Sequence, residues 1–183
     1  GPDGFVDTPR TAEKVADVLG CGAIEVAVCS TGLIGERLPI EQLLAGVDDA
    51  TAALADGEEA GTRAATAVLT TDTAEKQAAR TRHGWTVGGF AKGAGMMAPS
   101  LATMLVVVTT DAVVDAALAD TALRAATAMT FERLDIDGST STNDTVLLLA
   151  SGAAGIEADA DAFTEVLTEV CAELSRALQA DAE

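Results

Sequence analysis

The amino-acid sequence predicts a layered α/β domain, because segments with helical apolar spacing alternate along the chain with short runs of β-branched residues. Two compositional features agree. The chain is 49% hydrophobic and 22% charged over 183 residues, enough for one sizeable core. No apolar run approaches the ~18 residues that a membrane-crossing helix needs. Residues 1–183 are accordingly read as a single domain.

Taken in order, Thr8-Pro9 supplies a helix N-cap with proline at the first helical position, followed by Ala12, Val15, Val18 and Leu19 and stopped by Gly20. Ile24, Val26 and Val28 alternate with Glu25 and Ala27, which predicts a strand ending at Ser30-Thr31-Gly32. Pro39 opens a second helix with Leu43, Leu44 and Val47 on one face, running to about Leu54 before a loop at Asp56-Gly57-Glu58-Glu59. Ala67 to Leu69 and Trp85 to Val87 are short strands. Residues 103 to 110 suit a strand covered on both faces. Asp115 to Met129 forms a helix and Val146 to Ala150 a buried strand. Phe163, Val166, Leu167, Val170, Cys171, Leu174 and Leu178 recur at the helical period, giving a long amphipathic helix.

Charge and composition narrow the function. With 11 basic and 29 acidic residues the net charge is −18, which serves solubility first and, by long-range repulsion, makes nucleic acid and anionic membranes poor partners. Aromatics make up only 3%, with one Trp and no Tyr, so the base-stacking platforms of nucleic-acid readers are missing too. An anionic substrate needs a locally placed Lys or Arg. Cys21, Cys29 and Cys171 lack metal-ligand spacing and read as small buried hydrophobes of a reducing compartment. The start, Gly1-Pro2-Asp3-Gly4, has no secretory pattern, and a cytoplasmic location is expected.

The most informative segment is Lys92 to Leu105, Lys-Gly-Ala-Gly-Met-Met-Ala-Pro-Ser-Leu-Ala-Thr-Met-Leu. A chain break between Ala102 and Thr103 would give one residue both a hydroxyl nucleophile and a free α-amine to deprotonate it. Uncut, Thr103 is a small polar residue at a strand entrance. Lys92-Gly93-Ala94-Gly95 can cradle an anionic group, but it lacks the spacing of a phosphate loop. The turn Cys29-Ser30-Thr31-Gly32-Leu33-Ile34-Gly35 either aims backbone N–H groups and a threonine hydroxyl at a developing oxyanion or is an ordinary tight turn. Asp135, Asp137, Asn143 and Asp144 lack calcium-loop spacing and suit capping and turn roles. His83, the only histidine, reads as an exposed loop residue. No metal or cofactor site is expected.

Four segments occur in order: Cys-Ser-Thr-Gly-Leu-Ile-Gly-Glu-Arg-Leu-Pro at 29–39, Thr-Thr-Asp-Thr at 70–73, Gly-Gly-Phe-Ala-Lys-Gly-Ala-Gly-Met-Met-Ala-Pro-Ser-Leu-Ala-Thr-Met-Leu at 88–105, and Ser-Thr-Asn-Asp-Thr at 141–145. Together they resemble the glutamate N-acetyltransferase, or ornithine acetyltransferase, family of arginine biosynthesis across essentially the whole chain. The resemblance implies a fold of the self-cleaving N-terminal-nucleophile type and a precursor split at Ala102-Thr103, with residues 1–102 in an α chain and 103–183 opening a β chain. It implies a cytoplasmic α2β2 assembly needing no cofactor. Its acetyl group would pass from N-acetylornithine to Thr103 and then to glutamate, with acetyl-CoA an alternative donor in some members.

By motif position Thr31 and Gly32 resemble the oxyanion-hole pair, Thr70 and Lys92 substrate contacts, and Thr103 both nucleophile and substrate contact. Asp181-Ala182-Glu183 resembles the start of an Asp-x-Glu-Gly-Ala segment, which implies that Glu183 is a substrate-binding or catalytic acid. The family's precursor is longer at both ends, so the chain is expected to be a fragment. A related self-cleaving aminopeptidase or amidase, or a non-catalytic remnant, are the alternative readings.

Overall fold

The computed structural model describes residues 2–33, 35–94, 103–135 and 141–181. The sequence reading expects one domain; by internal contacts the chain gathers into two compact units, Gly1–Ala60 and Gly61–Glu183. Each is taken by itself.

The first unit is helical. Helix α1 spans Pro2–Leu19 and α2 spans Ile40–Ala52, and they pack together. The expected start of α1 at Thr8-Pro9 is too late. Pro9 removes only the bond its N–H would give to residue 5, and the Thr11 hydroxyl donates to Asp7 O at 2.9 Å. Burial on α1 falls to Ala12 and Ala16, whereas Leu19 is exposed. Asp7 is buried and accepts two bonds from Arg37 at 2.7 Å each; this pairing holds its carboxyl below the usual range.

The strand expected over Ile24 to Val28 is not formed. Ala23–Glu25 is a 3-10 turn, closed by the Gly22 N–H donating to Glu25 Oε2 at 2.6 Å, and Ile24 is 98% exposed. Alternation alone does not make a strand without a partner to accept its backbone bonds. None of the four strands of the described sheet pairs with it.

Helix α3, Glu58–Ala67, carries the chain across the boundary between the units. The sequence reading placed a loop at its start and a strand at Ala67. Glu58 and Glu59 instead sit in the first turn, where acidic side chains complement the helix dipole, and the alanine-rich continuation is helical by propensity.

The second unit is a four-stranded sheet in the order β1-β2-β3-β4: β1 Lys76–Arg82, β2 Trp85–Lys92, β3 Leu105–Thr110 and β4 Thr145–Ala150. β1 and β2 form a hairpin in which Arg82 faces Trp85. The two residues between them, His83 and Gly84, have φ of 56° and 85°, the positive pair that a two-residue turn matched to sheet twist requires. β2 pairs antiparallel with β3, and β3 pairs parallel with β4. A parallel neighbour demands a crossover. Helix α4, Ala116–Met129, supplies it, capped by Asp115, whose side chain accepts from the Leu118 N–H.

Helix α5, Ala160–Ala180, begins at the Asp159 cap and lies against β1, β2 and α4. Its predicted apolar stripe from Phe163 to Leu178 is buried throughout. It meets Trp85, Val87, Ala91, Val106 and Val108 in one core, with the Trp85 and Phe163 rings 5.7 Å apart. Ala122 and Ala126, fully buried, give α4 a small-residue face in the same core. Each large side chain so buried is worth about 1.5–3 kcal/mol, and Phe163→Ala would cost about 3–5 kcal/mol.

Candidate active site

Thr103 lies two residues ahead of β3, and the segment before β4 holds it there. The parallel ladder begins with Leu105 opposite Thr145. Just beyond it the Thr145 N–H donates to Met104 O at 3.0 Å, and the Met104 N–H donates to Asp144 Oδ1 at 2.8 Å. Next, Thr103 Oγ1 and Ser141 Oγ are hydrogen-bonded at 2.9 Å. Ser141 Oγ also accepts the Asn143 N–H at 3.1 Å. The Ser-Thr-Asn-Asp-Thr segment is thus a template for the threonine, and Asp144, expected in a turn or capping role, instead bridges to the Met104 N–H forty residues away.

Lys92, the head of the Lys92-Gly93-Ala94-Gly95 segment, is the last residue of β2, opposite Leu105, and only 2% exposed. Its Nζ donates to the Thr103 carbonyl oxygen at 3.0 Å. Burial disfavours the charged form and pulls the ammonium below its ordinary 10.5; Asp72 opposes this, Lys76 adds to it and Asp144 opposes it.

A second network backs the lysine. Asp72 Oδ1 accepts from the Gly93 N–H at 2.6 Å and from Lys76 Nζ at 2.8 Å, and Asp72 Oδ2 accepts from the Thr70 N–H at 3.3 Å. Lys76 Nζ continues to Asp181 Oδ2 at 2.5 Å and Ala74 O at 3.0 Å. Asp181 receives the Thr73 N–H and hydroxyl as well. Burial, the largest influence on both aspartates, pushes their pKa up. The Lys76 bond with the Gly93 and Thr70 N–H groups at Asp72, and the Lys76 and Thr73 bonds at Asp181, outweigh it and hold both carboxyls below the ordinary 3.8. Gly93 has a φ of +148°, and a Cβ there would lie 3.3 Å from Leu178 Cδ2 and 3.4 Å from Met104 Cα; the site needs glycine at this turn.

Thr103 and Lys92 are therefore in direct contact, and Thr70 is joined to Gly93 through Asp72. The roles of Asp72, Lys76, Asp181 and Ser141 escaped sequence reasoning. The local signals were that Asp72, Ser141 and Asp181 fall inside quoted motifs and that Asp72 and Lys76 are four residues apart. Thr31 is half-buried and Gly32 exposed in the first unit, preceded by coil rather than by the expected strand. Ala102, Gly95, Asp137 and Glu183 lie outside the described residues. His83 is exposed as expected and stacks against Trp85 at 5.8 Å. Cys171 is buried and its thiol is pushed up to about 12 by burial, but Cys29 is only half-buried and Cys21 is exposed, correcting the expectation of three buried cysteines. Among the described residues no group of three or more His, Cys, Asp or Glu could hold a metal ion. No described helix is long and apolar enough to cross a membrane.

This arrangement can hold a threonine hydroxyl in one orientation at the head of a central strand, beside a buried cation. It defines a mixed α/β protein with a templated threonine as its candidate nucleophile. The ArgJ family model matches residues 1–183, and the chain belongs to the ArgJ family. It is 60% identical to a Streptomyces coelicolor protein over 183 residues and 60% identical to a Mycolicibacterium paratuberculosis protein over 189, covering 100% of this chain and 47% of each relative. A Thermobifida fusca protein is 57% identical with the same coverage. All three are named arginine biosynthesis bifunctional protein ArgJ. The chain spans about half the length of the curated relatives it matches.

Proposed function

We propose that the protein to which this chain belongs is an acetyltransferase of arginine biosynthesis that moves the acetyl group of N-acetylornithine to glutamate through an acetyl ester on Thr103. The single observation carrying this reading is the fixed Thr103 hydroxyl, bonded to Ser141 at 2.9 Å, with its own carbonyl gripped by buried Lys92, in a family whose relatives are named for arginine biosynthesis.

Scission of Ala102-Thr103 converts an amide nitrogen, which cannot accept a proton, into an amine that titrates near pH ~7.7–8.0 in model peptides. That is where a general base works best. Thr31 and Gly32 serve as the oxyanion donors, each good donor worth about 3–4 kcal/mol. Thr70, Lys92 and Glu183 bind substrate; one of the three Lys92 N–H donors is engaged by Thr103 O, and the ammonium has capacity for substrate carboxylate besides. Residues 1–102 belong to an α chain and 103–183 open a β chain, assembling as cytoplasmic α2β2, with acetyl-CoA a second possible donor and no cofactor.

The finer layering, a second sheet stacked on the first, is part of the same reading. Phe90, Val107 and Leu147 stand in one row across the sheet and are half-buried, while the alternate residues Ala91, Val106 and Val108 face the α5 core. An apolar row of this kind is suited to a stacked sheet.

The test is incubation of the full-length protein with acetylornithine, with and without glutamate. Glutamate-dependent acetyl transfer together with an acetyl mass increment on the Thr103 peptide is expected. Acetate release at an equal rate without glutamate would make the enzyme a hydrolase, and a persistent uncleaved, unacetylated chain would make it a remnant.

A further inference from the structure

The proton on a threonine nucleophile must point at the base, yet a hydroxyl rotor is free to turn unless something else occupies its acceptor side. Resting on the acetyl-threonine reading above, we propose that Ser141 is a further catalytic residue, which donates a hydrogen bond to Thr103 Oγ1 and so turns the threonine's own proton toward the α-amine. Three observations point to it. Ser141 Oγ is 2.9 Å from Thr103 Oγ1. Ser141 Oγ already accepts the Asn143 N–H at 3.1 Å, which polarises its hydroxyl as a donor. The backbones carrying the two hydroxyls are locked in register by Thr145 N–H to Met104 O and Met104 N–H to Asp144, so the contact is built into the sheet rather than made by a stray side chain.

In the transfer step Thr103 Oγ1 bonds to the acetyl carbonyl carbon, its proton passes to the Thr103 amine, and the carbonyl π pair moves onto oxygen. On collapse the carbon–nitrogen bond to ornithine breaks and that proton leaves on the ornithine amine. Ser141 keeps its proton throughout; its bond sets the direction of Thr103's proton before attack and steadies Oγ1 as charge shifts there. Lys92 and Asp144 hold main-chain atoms, and neither does this.

The experiment compares Ser141→Ala, Ser141→Thr and Ser141→Cys in the full-length protein by kcat, KM, extent of self-cleavage by intact mass, and thermal unfolding. The expected result is a kcat lower by about 10- to 100-fold in Ser141→Ala, the range of one hydrogen bond to a charged group, with KM within about twofold. Ser141→Thr should recover most of the rate because it keeps the hydroxyl, and Ser141→Cys should stay slow because a thiol is a weak donor. A Ser141→Ala rate equal to the parent overturns the proposal, as does a loss in kcat that Ser141→Thr does not recover. If Ser141→Ala does not fold, the other two decide: Thr faster than Cys supports the role, equal rates overturn it. The underlying reading fails separately, through absence of the acetyl increment on the Thr103 peptide of the parent protein.

Discussion

Two glycine-bearing turns were candidates for the site, and they are built differently. Around Gly93 every neighbour is constrained: its N–H is held by buried Asp72, its φ is +148°, and Leu178 and Met104 leave no easy room for a side chain. Around Gly32 the chain is exposed, and a Cβ would meet only Leu38 Cδ2 at an ordinary 3.6 Å. The first turn is fixed by the folding of its own unit, so its geometry and its stability are the same question. The second is shaped by little within its unit, so a role there is a matter of chemistry rather than of fold.

That contrast can be attacked at several points. The largest effect should come from Thr103→Ala, which removes the hydroxyl bonded to Ser141: on the proposed reading, acetyl transfer by the full-length protein should fall by more than about a thousandfold and intact mass should show no scission, while the Trp85 fluorescence unfolding curve stays close to that of the parent. Surviving transfer removes Thr103 from the mechanism.

Asp72→Ala should follow, costing about 3–5 kcal/mol in urea unfolding, because it leaves the buried Lys76 ammonium with one of its two carboxylate partners. A cost under about 1 kcal/mol would mean that the network around Gly93 is ornamental. The same carboxylates set a pH dependence. Asp72 and Asp181 have folded pKa values below the ordinary 3.8, so the stability they contribute is complete above that value and is lost as pH falls through the folded values. Urea midpoints should drop in that acid window, and Asp72→Asn should flatten the drop.

Gly93→Ala comes next, at about 1–3 kcal/mol from the strained φ and the close contacts. Gly32→Ala should be the smallest, within about 0.5 kcal/mol; if it leaves stability alone yet slows acetyl transfer, the distinction between the two turns is sharpened. If Gly32→Ala proves as destabilising as Gly93→Ala, the distinction is broken. Lys92→Ala should cost about 1–3 kcal/mol because the side chain is buried and bonded to Thr103 O.

What could be read from sequence was what local pattern encodes. The long stripe of α5, helix α4 with its Asp115 cap, and the positions of β3 and β4 follow from periodicity and capping chemistry, but the expected burial does not hold in full: β4 is half-buried at best, with Leu149 52% exposed, and Thr109 of β3 is exposed. Strand β1 did not, because Lys-Gln-Ala-Ala-Arg-Thr-Arg is an edge strand whose charges are sheet-edge protection and ion-pair partners of α5, such as Arg80 with Glu173 at 2.5 Å and Arg82 with Glu169 at 2.9 Å. The Ile24 to Val28 alternation misled for the opposite reason, a strand pattern with no ladder. At the site, the motif positions of Thr103 and Lys92 were legible, but the Lys76 to Asp181 pair joins residues 105 apart, a separation to which no local window is sensitive.

The stitching of Thr103 and Met104 onto Ser141, Asp144 and Thr145 has one more consequence. A freshly cut chain end ordinarily frays, and a reactive amine that wanders is of little use. Were the chain cut at Ala102-Thr103 as proposed, the two residues after the cut would stay moored to Ser141, Asp144 and Thr145 by bonds that do not involve the severed link, so the new terminus would be born already in harbour.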